Sequence, residues 1–493
     1  MNRAAKWTAV AIAALVLVRV LVVVVALDTA ATSAGPRIRH GAARDHATVL
    51  PGDVRRYHQI ATRQGTPYVD FEVEYPPLTL AAVELLDGRD VRESTVNLMW
   101  CQLVVDLMIA GVLAWGWGRR AAIAYLVLGL VFLWYPFLYL RLDLLSVLLA
   151  VAALAAARKR HRATGAAALA VACFAKLWPI VLVPRLLATG SRRARLGSLA
   201  VFAMVGAIGS ALWLGFTGTD GPEQVLTFRG ADGWQVESTF GALVHAFGRA
   251  PARIEQGAMR LGVVPDVARV GLPLLGVGLM ILVWWLAARR ADPMSSRPGD
   301  DVRVFDGLAP LGAIAATLVT ATILSPQYVS WLLPFAAIAW CAGERAVVVL
   351  TAVAGFLSTV GLNMVKELNQ GGVFPLAVVI VRNALLITLL VVVIARLVQI
   401  GRRAGRATDF HAGFAVAPSQ GVAAPAPTPA PSPAPSPAPS PAPVVVSASS
   451  DVGSALGQGD QVPATITTSS LGPSGSSLGP SGGLLAPRRD RRS

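Results

Sequence analysis

Most of this chain is built from runs of about 15–25 apolar residues separated by short arginine clusters, and few architectures can accommodate that pattern. An α-helix needs about 20 apolar residues to cross the hydrocarbon core of a bilayer. Twelve runs are read as helical spans: 7–27, 94–117, 121–138, 143–157, 163–175, 177–189, 197–217, 268–288, 306–324, 328–342, 346–362 and 374–397. The pair at 163–189 is short enough to be half-spanning or irregular, and such backbone is tolerated at membrane depth only where protein or a wet cavity covers it. Charged residues make up 14% of the chain, against about a quarter in soluble proteins. That excludes a soluble multidomain enzyme. The net charge of +15 is compatible with nucleic acid or with a membrane; the apolar runs select the membrane, and no nucleic-acid partner is expected. The expected fold is an all-α polytopic membrane protein.

The first run follows Arg3 and Lys6 and is read as an uncleaved first helix, since it is long for a signal peptide and many spans follow. Arginine counting then sets the expected orientation. With the N-terminus inside, the inner segments hold 20 basic and 4 acidic residues. Three outer loops, 28–92, 218–266 and 363–373, hold 13 basic and 16 acidic. Both termini are therefore expected in the cytoplasm and the two long loops on the outer face of the cytoplasmic membrane. The membrane-spanning domain is drawn at 1–406. Beyond it, residues 407–493 read as a cytoplasmic tail in which every second residue from Pro425 to Pro443 is proline. Such a run lacks the amide donors for helix or sheet and is expected to be extended. The rest of the tail has too little apolar content for a core. A docking arm for a protein partner, or for anionic lipid through the terminal RRDRR, is the alternative role.

The chemistry is concentrated between Pro51 and Pro77, PGDVRRYHQIATRQGTPYVDFEVEYPP. Residues 53–63 are helix-compatible with Asp53 at a cap position, and Tyr57 and Ile60 would share its face. Gly65–Pro67 ends that helix, residues 70–74 alternate as a short extended piece, and Tyr75-Pro-Pro77 forms a corner. Leu78–Leu86 is amphipathic and is expected at the membrane surface.

Asp53 and Tyr57, then Gly65-Thr-Pro-Tyr68-Val-Asp70-Phe71, then Glu74-Tyr-Pro-Pro77, resemble the first-loop signature of glycosyltransferase family 87. Further matching pieces follow in order: Arg141-Leu-Asp143, Lys176-Leu-Trp-Pro179, Gln235-Val-Glu237-Ser238, Ser325-Pro-Gln327-Tyr328 and Arg382-Asn383. The resemblance covers about residues 7–400. It implies a GT-C-type bundle of about 12 helices that moves a sugar, most often mannose, from a polyprenyl phosphate to a lipid-linked or polymeric glycan, with inversion at the anomeric carbon. No cofactor is implied.

A polyprenyl-phosphate sugar carries its own leaving group, so the enzyme must deprotonate an acceptor hydroxyl and steady the departing phosphate. A positioned carboxylate does the first, and cations or backbone dipoles do the second. By resemblance Asp53 is the expected base; the alternative is that it simply caps a helix. Asp70, Glu74 and Tyr75 are alternates or loop support, with Glu74 expected to pair with Arg55 or Arg56. Ionisable residues inside spans default to functional candidates. Arg141, Asp143, Lys176 and Arg382 fall near outward ends, at the level of a lipid phosphate. Arg19 lies about 18 Å along the first helix, also in the outer half. For Lys176 and Arg382 the alternative is an internal ion pair with Asp143 or Asp106. Arg141 and Asp143, two apart, would not share a helix face and should serve different partners. Trp234, Gln235 and Glu237 suit a sugar or acceptor contact or else a packing lid, and Gln327 and Tyr328 join the donor set. His58 and His245 have no HxxH or DxD partner, so no metal is expected. The competing class is a secondary transporter or lipid flippase, but no repeat of two similar halves is visible.

Overall fold

The computed structural model describes residues 3–32, 52–133, 136–248, 250–289 and 301–415. The first part of the first long loop, residues 290–300, and the expected Pro-rich arm beyond Ala415 lie outside the described residues. The described chain is almost entirely helical. In order it forms α1 (Arg3–Thr32), α2 (Gly52–Ala61), α3 (Pro77–Leu86), α4 (Val91–Trp117), α5 (Arg119–Gly129), α6 (Asp143–Arg158), α7 (Arg162–Ala175), α8 (Pro184–Ala188), α9 (Arg192–Thr217) and α10 (Asp220–Leu226). A small sheet follows, made of β1 (Trp234–Gln235), β2 (Ala252–Glu255) and β3 (Ala258–Leu261), with α11 (Thr239–Phe247) inserted after β1. The chain continues through α12 (Asp266–Ala288), α13 (Ala309–Thr320), α14 (Leu333–Cys341), α15 (Arg345–Asn363), α16 (Val365–Asn369) and α17 (Val373–Ala415). The last helix runs past residue 406, where the sequence places the end of the membrane domain.

Every predicted span coincides with a helical segment, but the segments are of two kinds. Among the described residues seven helical stretches are long and apolar enough to cross a membrane: Lys6–Thr29, Val91–Trp117, Arg192–Thr217, Asp266–Ala288, Val302–Thr320, Arg345–Asn363 and Val373–Arg402. The protein is a helical membrane protein. Other predicted spans are short or broken. The run 121–138 is α5 followed by tight turns at Leu130–Phe132 and Pro136–Leu140. The run 177–189 is a tight helical turn, Trp178–Leu182, joined to α8, and 328–342 is the turn Pro326–Leu332 leading into α14. Prolines explain the breaks. Pro136, Pro179, Pro184, Pro326 and Pro334 each lack an amide donor and cannot continue a preceding helix. Trp178, Pro179, Val181 and Leu182 are buried, as are Val329, Ser330, Trp331 and Leu332, so protein covers this irregular backbone.

One large core joins α2–α8, α12–α15 and α17. A second, smaller core gathers Trp234, Val236, Ala242, Met259 and Leu261 of the sheet region against Leu272, Leu368 and Val379. The second long loop is thus a miniature folded unit seated on α12, α16 and α17. In its antiparallel sheet, ordered β1-β3-β2, β3 is central, with Gln235 opposite Arg260 and Arg253 opposite Arg260 on its two sides.

Several buried charges are neutralised in place. Arg19 Nε contacts Asp106 Oδ2 at 2.7 Å, and Tyr125 and Tyr139 donate to the two oxygens of Asp106 at 2.5 and 2.8 Å. Arg19 also donates to the Leu126 carbonyl at 2.8 Å. Gly129 makes room for it, since a Cβ there would lie 2.5 Å from the guanidinium. Asp106, one of the two partners foreseen for Lys176 and Arg382, is committed to Arg19. At the opposite end of the bundle from the two long loops, Asp306 sits in a π-helical turn, Val302–Leu308. It contacts Arg185 at 2.6 Å, Trp117 at 3.0 Å and Arg158 at 3.4 Å. Glu344 is likewise held by Arg303 at 2.5 Å and Arg396 at 2.9 Å. Part of the arginine clustering therefore clamps acids rather than facing water.

Removing one partner of such a buried pair leaves an uncompensated charge, at a cost of about 3–5 kcal/mol, while replacing both by apolar residues is far milder. Asp106→Ala should therefore strongly lower the melting temperature in detergent, followed by fluorescence-detected size exclusion. The double change Arg19→Leu with Asp106→Leu should recover much of the loss. Equal destabilisation by the single and double variants would contradict the charge-pair account.

Candidate active site

At the end of the bundle that carries the two long loops, chain breaks rather than helix interiors present most of the polar groups. The helix α2 starts at Gly52, and its apolar positions Val54, Tyr57 and Ile60 face the core. Asp53 lies in the first turn, where a carboxylate is favoured by the helix dipole. Its side chain is 25% exposed and forms an ion pair with Arg141. Arg141 sits at the break between the turn Pro136–Leu140 and α6, its guanidinium 5.3 Å from the centre of the Phe137 ring.

Two residues on, Asp143 opens α6 and serves other partners. Its Oδ1 accepts Lys176 Nζ at 2.6 Å and Trp331 Nε1 at 2.9 Å. Lys176 lies just past the C-terminus of α7, 4.6 Å from the ring centre of Tyr328 and 5.3 Å from that of Trp331. Tyr328, Trp331 and Trp178 form a stacked ladder with centroid spacings of 4.4 and 5.2 Å, and Trp178 donates to Ser146 at 2.9 Å. The internal pairing foreseen for Lys176 with Asp143 is present. The lysine side chain nonetheless remains 27% exposed.

The third group comes from the second long loop. Gln235 ends β1, the chain turns, and Ser238 caps α11 by accepting from the Gly241 amide at 3.0 Å. Gly241 is required because a Cβ would lie 1.9 Å from the Gln235 carbonyl. The turn points Glu237 inward. Gln235 Nε2 donates to Glu237 at 3.1 Å and lies 3.4 Å from Ser325 Oγ. Arg382 and Asn383 of α17 both donate to the Glu237 backbone carbonyl, Asn383 at 3.2 Å. Burial raises the Glu237 carboxyl above its ordinary value, against the opposing pull of Arg382 and Arg141. Two amide oxygens, Gln235 Oε1 and Gln327 Oε1, and the hydroxyl of Ser330 are buried with no hydrogen-bond partner among the described residues. Buried polar atoms are normally satisfied, and sugar hydroxyls are donors of the kind these acceptors require.

The remaining predicted residues frame this cluster without entering it. Glu74 is held by Arg56 at 3.0 Å and Arg229 at 3.3 Å. Asp70 accepts the Thr66 amide at 2.6 Å, and residues 66–71 fold back on themselves rather than running extended, with Tyr68 N–H bonded to the Phe71 carbonyl. Tyr75 packs edge-on against Tyr57, centroids 5.4 Å apart, and its carbonyl accepts the Tyr68 hydroxyl. Trp234 is in the second core, 5.9 Å from Phe240. His58 meets Asp87 at 2.8 Å, and Ser94 donates to the same oxygen at 2.7 Å, pinning α2 to the turn between α3 and α4.

Sequence reasoning missed Gln224, Arg229 and Trp331. Gln224 of α10 accepts from Val73 N–H at 2.9 Å and donates to the Tyr68 carbonyl at 2.7 Å, so one amide bridges the two long loops. It holds Tyr68 in a left-handed conformation, φ 69°, that a bulky residue adopts only under constraint. A glutamine in a short polar helix gives no signal of this in sequence. Each net hydrogen bond contributes about 1 kcal/mol. Gln224→Ala should therefore speed amide exchange of residues 66–75 by about tenfold or more while leaving α4 and α13 protected. Unchanged exchange would show that the clamp is dispensable.

Residues 74–297 match the family model described as Glycosyltransferase family 87. The matched stretch contains Arg141, Asp143, Lys176, Gln235 and Glu237; Asp53 lies upstream of it, and Gln327, Tyr328 and Arg382 lie beyond. No curated protein matches the chain. Over that stretch the chain is similar to glycosyltransferase family 87, and with the seven long apolar helices among the described residues this marks a membrane glycosyltransferase.

Proposed function

We propose that the protein transfers a hexose, mannose in the first instance, from a polyprenyl-phosphate donor to a lipid-linked or polymeric glycan on the outer face of the cytoplasmic membrane. The observation that carries the proposal is the convergence of Asp53, Arg141, Asp143, Lys176, Glu237 and Arg382 at one end of an apolar bundle. A donor whose lipid tail stays in the membrane presents its phosphate at that level. Lys176, Arg141 and Arg382 supply positive charge there, and Gln235, Gln327 and Glu237 supply acceptors for sugar hydroxyls.

In the proposed reaction the acceptor hydroxyl oxygen attacks the anomeric carbon, and the bond from that carbon to the phosphate oxygen breaks. The phosphate leaves with the electron pair, and the hydroxyl proton passes to Asp53, with inversion. The cations stabilise the charge that grows on the phosphate. Arg141 contributes to both halves. Its guanidinium is bonded to Asp53, so a donor phosphate competes with the carboxylate for it. The exchange that binds the phosphate frees a carboxylate oxygen for the proton. The 1–406 region is the catalytic part in this scheme, both termini are cytoplasmic, and the 407–493 tail serves a protein partner or none. A coupled transporter would need ionisable groups along a path through the membrane, whereas Arg19 and Asp106 are locked together with two tyrosines.

Loss of a general base lowers rates by about 10²–10⁴. Asp53→Asn should remove transfer from polyprenyl-phosphate mannose in isolated membranes while expression and detergent melting stay normal; retained activity would overturn the base assignment. Lys176→Ala should raise the KM for the donor much more than that for the acceptor. Equal effects on both would place the lysine in a structural ion pair with Asp143 only.

A further inference from the structure

Arg260 stands outside everything assigned above. It lies on the central strand β3, and its side chain is fully buried. It donates to the Gly233 carbonyl at 3.1 Å and, more distantly, to the Glu255 carbonyl at 3.4 Å. Its NH2 group has no hydrogen-bond partner, and no carboxylate forms a salt bridge with it among the described residues. The nearby acids are committed elsewhere, since Asp232 and Glu255 both pair with Arg253, and Arg253 is itself the residue directly opposite Arg260 in the sheet. Like charges directly opposite are unfavourable, and a buried guanidinium whose acidic neighbour Glu255 is bonded to another arginine is only partly compensated. Burial accordingly pushes Arg260 below its ordinary value.

The surroundings show where a counter-charge could enter. On its other side Arg260 faces Gln235 across the register, whose amide reaches toward Glu237 and Ser325. Residues directly opposite in a sheet are side-chain neighbours, so Arg260 stands beside Gln235 at the edge of the candidate site. One segment covers it. The Phe228 ring lies against two guanidiniums, 5.4 Å from Arg260 and 5.6 Å from Arg229. Phe228, Arg229 and Gly230 are three successive residues in left-handed conformation, φ 50°, 60° and 72°, a strained stretch for two residues with side chains. Arg229 in turn holds Glu74, so the cover is fastened to the first long loop.

We propose that Arg260 is an oxyanion-binding residue, which takes a phosphate or carboxylate borne by one of the two substrates when the Phe228–Arg229 strap lifts. The assignment rests on the transferase proposal above for the identity of the anion's carrier, but not for the binding itself. Lys176, Arg141 and Arg382 approach the donor phosphate from helical spans and their ends. Arg260 instead projects from the loop unit, where a substrate arriving from water would be met.

The test uses the full chain in detergent micelles, with inorganic phosphate as the probe in isothermal titration. The wild type should show two phosphate sites. Arg260→Met should retain one, and Arg260→Lys should keep both, the weaker by about tenfold in affinity. Phe228→Ala, which keeps Arg260 and removes the cover, should tighten that site about threefold or more, since a cation–π contact contributes about 0.5–1 kcal/mol. An identical number of sites and affinities in wild type, Arg260→Met and Phe228→Ala would overturn the assignment. Should Arg260→Met fail to fold by size exclusion, the Lys and Phe228→Ala responses decide the matter alone. Transfer kinetics then name the source: a KM raised for the acceptor only, or for the donor only, at unchanged kcat identifies which substrate bears the anion. A wild type that transfers nothing from polyprenyl-phosphate sugars, yet loses a phosphate site in Arg260→Met, would sink the transferase proposal and leave the oxyanion site standing.

Discussion

The carboxylate of Asp143 joins three segments that have little reason of their own to be near one another. It begins α6, accepts Lys176 from the end of α7, and accepts Trp331 from the broken helix between α13 and α14. Each of those segments is interrupted where a continuous helix would have crossed the apolar layer. Interrupted backbone survives there only if protein covers it and its polar groups find partners. The Trp178–Trp331–Tyr328 ladder supplies the cover, and Asp143 supplies the acceptor. Because Arg141 is two residues away and pairs with Asp53 instead, the same chain break also fixes the loop helix that carries the proposed base.

The two long loops depend on this anchoring in different ways. The first carries a short helix and a folded-back turn whose Val54, Tyr57, Ile60, Phe71 and Val73 enter the main core, and side-chain bonds pin it further: Arg56 and Arg229 to Glu74, His58 to Asp87, and Gln224 to both Tyr68 and Val73. The second has its own apolar core and sheet, and it reaches back to α17 through Arg382 and the Glu237 carbonyl. The candidate site therefore lies between a loop packed into the main core and a unit with a core of its own.

Much of the fold was legible because apolar periodicity and length report directly on burial in a bilayer. Every predicted span matched a helical segment, and α2 appeared over nearly the predicted residues, with Tyr57 and Ile60 buried as a helical face requires. What length alone could not resolve was continuity. Pro179, Pro184, Pro326 and Pro334 mark the breaks in sequence, but whether a proline kinks, ends or merely begins a helix depends on what packs around it. Of the stretch read as extended, residues 70–74, Asp70 belongs to a turn, since residues 66–71 fold back on themselves. Alternation over a few residues does not report the folding back of its neighbours, which rests on bonds such as Tyr68 N–H to the Phe71 carbonyl and Tyr68 hydroxyl to the Tyr75 carbonyl.

The sequence by itself determined that this is a helical membrane protein, where its charges are scarce, and which loop concentrates acids, aromatics and turn residues. Those properties follow from composition and spacing, which act locally. Only the tertiary structure decided which charge meets which. Lys176 went to Asp143, Arg19 to Asp106, and Arg141 to Asp53, while Arg260 and Arg382 went to backbone carbonyls. The physical reason is that an ion pair is stabilised by distance and burial between residues remote in the chain, here 87 positions apart for Arg19 and Asp106. Neither quantity is written in any local stretch of sequence.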